Sequence, residues 1–406
     1  MSDKPTPHDK HRTIFLILMV FIVACIETDI YLPAMPDMMR YFATTEAMIQ
    51  SLLSWNFIGI CLSGPLYGPL SESYGRKRLL ITAMSIFTLG SLGTVYSDSI
   101  HTMLIFRLLQ GLGCGGCFTI GTAIIFDKFH HEEATKAINN LNGIIPVIMA
   151  AAPLIGGYLN LHYGFRSNFT VIAGLSLISL FICFWQLDES LPAKQRTPFD
   201  LKGILSDFAR AMRCFRFWAP TILVSSIFAG YLSYISYSAL LLVNDFGVSK
   251  AIFPFYQATA LIAFLCASLT ANRMIKQVGV NRMKRYGMSL LGFGGISFII
   301  LSLVWPSQYQ LFHSAMLIYS FGAGWLIGPF FTESMEVLPD IKGVTASLVT
   351  SFRLLFTACF ISVVSSFYTS SPKPLIVGFI FLFVLGAITL FFYQTKTDNV
   401  LIATEP

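Results

Sequence analysis

Two carboxylates, Glu27 and Asp29, interrupt an apolar run from Ile14 to Ala34 that is otherwise fit for lipid. An acid in a membrane helix is penalised by about 2.5–3.5 kcal/mol on insertion scales, so it marks a pairing or proton-handling task. Pro33 and Pro36 follow at once and make the same helix deformable. Arg107 and Arg353 place guanidinium groups inside two other apolar runs. A guanidinium keeps its proton, so each must meet a partner, a wet cavity or the membrane surface. Acids that can load and release protons, set beside cations that cannot, point toward transport.

The elements that position these charges are membrane spans. Of 406 residues, 55% are hydrophobic and 12% charged, against about 25% charged in a soluble domain. Runs of about 20 apolar residues can cross a hydrocarbon core of roughly 30 Å. Twelve such runs are expected, at 13–35, 47–70, 78–96, 102–126, 136–160, 166–187, 217–243, 251–273, 284–305, 309–333, 343–368 and 375–394. Each must be a helix, because backbone in lipid has to satisfy its own hydrogen bonds. The longest polar stretch, 188–216, divides them six and six. An all-α membrane protein follows: an N-terminal bundle 1–187, a linker 188–216 and a C-terminal bundle 217–406. The first run is too long for a signal peptide and lacks a small-residue cleavage site, so it is read as a retained span.

Lys and Arg set the orientation. Of 27 such residues, only Arg40, Arg166, Lys250 and Lys373 fall on the side opposite the N-terminus, and only Arg107 and Arg353 lie inside spans away from their ends. The rest crowd one side, which places both termini in the cytoplasm. The net charge of +6 is thus a topogenic signal and calls for no nucleic-acid partner. Eight Cys are scattered, mostly in apolar runs. Cys114-Gly-Gly-Cys117 has redox spacing but lacks partner ligands, and reads as small residues for close helix packing. His130-His131-Glu132-Glu133 has the wrong spacing for a zincin. No cofactor, metal site or polar catalytic cluster is expected, which argues against an enzyme.

The 2–3 loop runs Gly64-Pro65-Leu-Tyr-Gly68-Pro69-Leu70-Ser71-Glu72-Ser73-Tyr74-Gly75-Arg76-Lys77-Arg78, with glycines at both ends to permit a tight turn. It resembles the signature Gly-x-Leu-x-Asp-Arg-x-Gly-Arg-Arg/Lys of the major facilitator superfamily. Gly68, Leu70, Gly75, Arg76 and Lys77 match, Glu72 stands for Asp, and Ser73 replaces Arg. Asn272-Arg273 through Gly279 and Arg282 echo it between spans 8 and 9, where an internal repeat would put it. Span 4 carries Arg107-Leu-Leu-Gln110-Gly111, which resembles the Arg-x-x-Gln-Gly motif of family antiporters. Ala152-Pro153-Leu-Ile-Gly156-Gly157 in span 5 resembles their Gly-Pro-x-x-Gly-Gly. Asp29-Ile-Tyr31-Leu-Pro33-Ala-Met-Pro36 resembles the first span of Bcr/CflA-type drug exporters.

The resemblance implies the major facilitator fold: two pseudo-symmetric six-helix bundles that export small molecules across the inner membrane by alternating access, driven by protons. It also implies roles. Asp29 takes the position of the family's acid and is the expected proton carrier; Arg107 couples to proton release. Gly68, Glu72, Gly75, Arg76, Lys77, Asp127, Pro153, Gly156 and Gly157 serve the gate, with the signature acid as its latch.

From the residues themselves, Glu27 and Asp29 project about 200° apart on a helix and cannot share one cavity. Glu27 is a second carrier, a partner of Arg107 or a packing acid. Burial favours the protonated form of either acid and a nearby guanidinium the ionised form. Arg107 could instead snorkel at the end of span 4. Arg353, roughly 15 Å into span 11, is either half of a buried ion pair or an anchor for an anionic ligand. Tyr231, Tyr234 and Tyr237 form an aromatic stripe that, with Tyr31, Asn56, Gln110, Asn142 and Gln257, could line a substrate pocket. A small-molecule substrate, protons and the lipid bilayer are the expected partners of a functional monomer. The alternative is a dedicated exporter of a polycarboxylate such as a siderophore, with an uptake symporter less favoured.

Overall fold

The computed structural model describes residues 7–129 and 131–402. Its helices are α1 (Pro7–Asp29), α2 (Met35–Tyr41), α3 (Glu46–Tyr74), α4 (Arg76–Val95), α5 (Ile100–Lys128), α6 (His131–Tyr163) and α7 (Arg166–Gln186). They continue as α8 (Leu201–Arg213), α9 (Phe215–Leu240), α10 (Phe253–Val278), α11 (Val280–Val304), α12 (Tyr309–Glu336), α13 (Lys342–Ser366) and α14 (Lys373–Ile402). Among the described residues, 11 helical stretches are long and apolar enough to cross a membrane. The remaining expected span, 136–160, lies on the 33-residue α6. Span 1 is α1 and α2 joined through a short 3-10 turn, and α8 is the linker's own helix.

Helix starts follow local chemistry. The Thr45 and Ser99 hydroxyls accept hydrogen bonds from the backbone N–H groups of Met48 and Thr102, capping α3 and α5. Arg210 of α8 pairs with Asp340 and holds that carboxyl below its ordinary range.

The described chain forms two compact units. One comprises the residues up to Asp200 together with Val248–Ala258; the other comprises Leu201–Gly247 and Thr259 onward. The first packs α5 against α3 and α4, through the small residues of span 4. The segment Val248–Ala258 groups with it through two contacts: Lys250 pairs with Asp37, and the Pro254 ring lies against Gly157. In the second unit α9 is buried along almost its whole length. Phe217, Val224, Leu326, Phe330 and Val349 form its core where α9, α12 and α13 meet.

Candidate functional site

The acids of span 1 sit where the helix stops. α1 ends at Asp29, Leu32–Ala34 form a single 3-10 turn, and α2 resumes at Met35. Pro33 is the cause: it has no N–H to give the Asp29 carbonyl four residues back, so the helical ladder lapses there. The break is packed, not loose. A Cβ added at Gly156 would stand 1.7 Å from the Ile30 carbonyl oxygen. Only glycine lets α6 approach the broken segment so closely.

Around this break lies a buried polar cluster. Arg107 of α5 donates from Nη1 to Glu27 Oε2 and to Gln110 Oε1, each at 2.6 Å. Its Nε reaches the Leu52 carbonyl at 3.4 Å, and its guanidinium carbon stands 4.5 Å from the Tyr31 ring centre. Glu27, Arg107 and Gln110 are each 0% exposed, so Arg107 does not snorkel. Of the three roles open to Glu27, the structure realises the pair with Arg107. Gln110 is held in turn by Ser91 at 2.9 Å, and Asn56 donates to the Arg107 carbonyl at 3.4 Å. Tyr31, Asn56 and Gln110, expected to line a pocket, are brought together around Arg107. Ser91 was not foreseen, because a serine in an apolar helix carries no signal until its partner is known.

Asp29 differs. It too is 0% exposed, yet neither carboxylate oxygen has a hydrogen-bond partner among the described residues. No cation lies within ion-pair distance of it there. A single residue, Thr28, separates it from Glu27, and that suffices to put the two acids in different surroundings.

The signature segment is nearly all helix. α3 runs through Gly68 to Tyr74 and α4 begins at Arg76, so one residue, Gly75, makes the whole turn. Its φ of +99° is open to glycine at little strain. Gly68 lies inside α3, not at a turn. Arg76 Nε binds Asp127 Oδ2 at 3.0 Å and its Nη1 binds Ser71 Oγ at 2.6 Å. Glu72, the expected latch, stays 54% exposed and approaches Arg76 only to 3.8 Å. One turn of helix before Arg76, it points outward with its extra methylene. Glu189 holds the turn instead, accepting from the backbone N–H of Arg76 at 2.9 Å and of Lys77 at 3.4 Å. Ser190 adds a bond to Asp127 at 2.9 Å, and Arg196 pairs with Glu189 at 3.5 Å. Between α10 and α11 the turn recurs: Gly279 has φ +83° and precedes α11 as Gly75 precedes α4.

In the second unit the tyrosine stripe does not form one surface. Three-residue spacing drifts by about 60° per step on a 3.6-residue helix, so each ring meets a different neighbour. Tyr231 stacks on Phe264, with centroids 5.1 Å apart. The Tyr234 hydroxyl meets His313 Nδ1 at 2.6 Å, and Tyr237 packs on Tyr368 and donates to the Ser371 carbonyl. His313, which sequence reasoning missed, also meets the Thr259 hydroxyl through Nε2 at 2.9 Å. Its signal was a lone histidine in the apolar span 10. Pro153 is buried within α6; the Asn142 side chain lies outside the described residues. In the first unit, Gln257 is buried with neither amide atom hydrogen-bonded among the described residues. Arg353, in mid-α13, has the Phe228 and Phe331 ring centres at 4.6 and 5.6 Å and no ion pair among the described residues.

Residues 17–358 match the family described as Major Facilitator Superfamily. A chloramphenicol resistance protein of Pseudomonas aeruginosa is 25% identical over 81% of this chain and 75% of its own. A bicyclomycin resistance protein homolog of Haemophilus influenzae is 21% identical over 88% of each. Among solved structures, a bacterial homolog of the human lysosomal transporter Spinster superposes with a TM-score of 0.73 at 15% identity. That likeness covers 97% of this chain and 98% of the other, and shows the shared fold. The intramembrane charges, the Gly75 turn and the long apolar helices therefore have one setting: the chain belongs to the Major Facilitator Superfamily, and is a multi-pass membrane transporter and not an enzyme.

Proposed function

We propose that the chain is a proton-driven exporter of small, drug-like organic molecules across the bacterial inner membrane. It works as a monomer with both termini in the cytoplasm. Two six-helix bundles, 1–187 and 217–406, joined by the linker 188–216, alternate in exposing the substrate path to either side. The observation that carries this reading is Asp29, buried at the break in span 1 with no hydrogen bond to either oxygen among the described residues. A carboxylate left so would be an uncompensated buried charge, so this arrangement suits Asp29 with its proton bound.

Each proton that crosses the potential yields about 2.3 kcal/mol per 100 mV. To harness it, the carrier must bind its proton in one conformation and lose it in another. Asp29 is placed for that, because a hinge made by Pro33 can change what its oxygens meet. Glu27 is not, because it is committed to Arg107. The pair keeps the fixed cation neutralised, so Asp29 alone can change charge. The resistance names of the relatives support a drug-like substrate over a dedicated metabolite.

Reconstituted proteoliposomes with an imposed pH gradient test the reading, with chloramphenicol as probe. Substrate-driven proton flux is expected in the wild type and is abolished by Asp29→Asn, a near-isosteric change that keeps the fold. Undiminished flux in Asp29→Asn would remove Asp29 from the carrier role.

A further inference from the structure

Arg353 stands near the middle of α13, half-buried, on the span that opens at Lys342. Its guanidinium makes no hydrogen bond and no ion pair among the described residues, and its buried Nε is without a partner there. Two aromatic rings attend it. The Phe228 ring centre of α9 is 4.6 Å from the guanidinium carbon and that of Phe331 of α12 is 5.6 Å. Rings attract a cation but accept no strong hydrogen bond, so the N–H donors of Arg353 stay uncommitted.

No acid among the described residues of the second unit stands within ion-pair distance of Arg353. Glu333 pairs with Lys284, Asp340 with Arg210, and Asp245 accepts from the Tyr368 hydroxyl, while Glu336 lies exposed. The unit therefore holds a cation deep in a span with no protein counter-charge within ion-pair distance among the described residues. Phe228 and Phe331 are likewise only half-buried, so the three side chains form a site a ligand can reach.

We propose that Arg353, Phe228 and Phe331 form an oxyanion subsite that takes the carboxylate, or a similar planar anion, of an amphipathic aromatic or apolar substrate. The guanidinium fork offers a carboxylate two parallel hydrogen bonds, and the rings take the apolar body beside it. The same anion supplies the counter-charge the span lacks. This rests on the exporter reading and names a substrate class for it: anionic amphiphiles are handled alongside neutral ones, and Arg353 discriminates between them.

A matched probe pair tests it. Chloramphenicol and its succinate ester share one skeleton, and only the ester carries a carboxylate. Binding of each to purified protein in nanodiscs is measured by calorimetry, and substrate-driven proton flux in proteoliposomes. Arg353→Gln is expected to weaken binding of the ester at least ten-fold and that of chloramphenicol less than two-fold. Arg353→Lys, which keeps charge but loses the fork, falls between. Retained chloramphenicol binding in the same sample shows that the variant is folded. The subsite is overturned if the wild type binds chloramphenicol but not the ester, or if Arg353→Gln leaves the two probes' affinity ratio unchanged. Absence of proton flux with either probe in the wild type would instead defeat the exporter reading, while the binding ratio still judges the subsite.

Discussion

Two arginines lie deep in membrane spans of this chain, and their surroundings differ in kind. Arg107 in the first unit is closed off from solvent, ion-paired to Glu27 and braced by Gln110, Leu52 and the Tyr31 ring. Arg353 in the second has no ion pair among the described residues and lies against the rings of Phe228 and Phe331. Magnitudes separate the two. A guanidinium at mid-span is penalised by about 2.5–3.5 kcal/mol on insertion scales. Cation–π contacts return about 0.5–2 kcal/mol each, the upper value only when desolvated. Arg107 has a protein counter-charge and three protein acceptors, with only its Nη2 left without a hydrogen bond among the described residues, and is a fixed part of the frame. Arg353 is satisfied only in part, which is the condition of a binding group.

The sharpest way to break this contrast is to remove one partner at each site. Glu27→Gln or Arg107→Gln leaves a buried charge uncompensated and is expected to destabilise by about 3–5 kcal/mol. Thermal unfolding in detergent reads this as a large fall in midpoint. The double variant recovers most of the loss, since both charges then vanish together. Arg353→Gln strands no counter-charge and should leave the midpoint nearly unchanged. Equal destabilisation at Arg107 and Arg353 would erase the distinction.

The next effect concerns the break that holds Asp29. Gly156→Ala puts a methyl into the Ile30 carbonyl, and overpacking of this sort destabilises by about 1–3 kcal/mol. Transport should fall further than stability, because the displaced segment carries Asp29. Gly174 lies in the same unit with nothing within 4 Å of an added Cβ, so Gly174→Ala is the matched control. Similar transport in both variants would show that the close approach at Gly156 is incidental.

What the sequence disclosed follows from which physical rules it had to break. Charges and prolines in an apolar run violate the demands of lipid, so Asp29, Arg107, Arg353 and the deformable first span stood out. So did the twelve spans, since length and apolarity alone define them. The unread parts are long-range. Nothing local selects the pair with Arg107, 80 residues on, from the three roles open to Glu27, or shows that Asn56 and Gln110 bond to Arg107. The tyrosine stripe misled because a three-residue period looks like one face over one step and drifts off it over two. Glu189 was missed for the opposite reason: an acid in a polar linker breaks no rule.

Glu189 gives the smallest and most discriminating test, because it compares the two turns Gly75 and Gly279. Both have the same backbone, but only the first has a carboxylate from outside its helix pair on the following N–H groups among the described residues. Such a cap on a helix N-terminus is worth about 0.5–2 kcal/mol. Glu189→Gln should therefore lower stability by about that much. Glu72→Gln removes an exposed contact worth about 0–1 kcal/mol and should do less. If the latch is the capped turn, transport falls with Glu189→Gln and holds with Glu72→Gln. The reverse ranking would return the latch to the acid of the signature itself. The Gly279 turn, without such a cap, is then the freer of the two, and substitutions at Arg282 should leave both readouts within error.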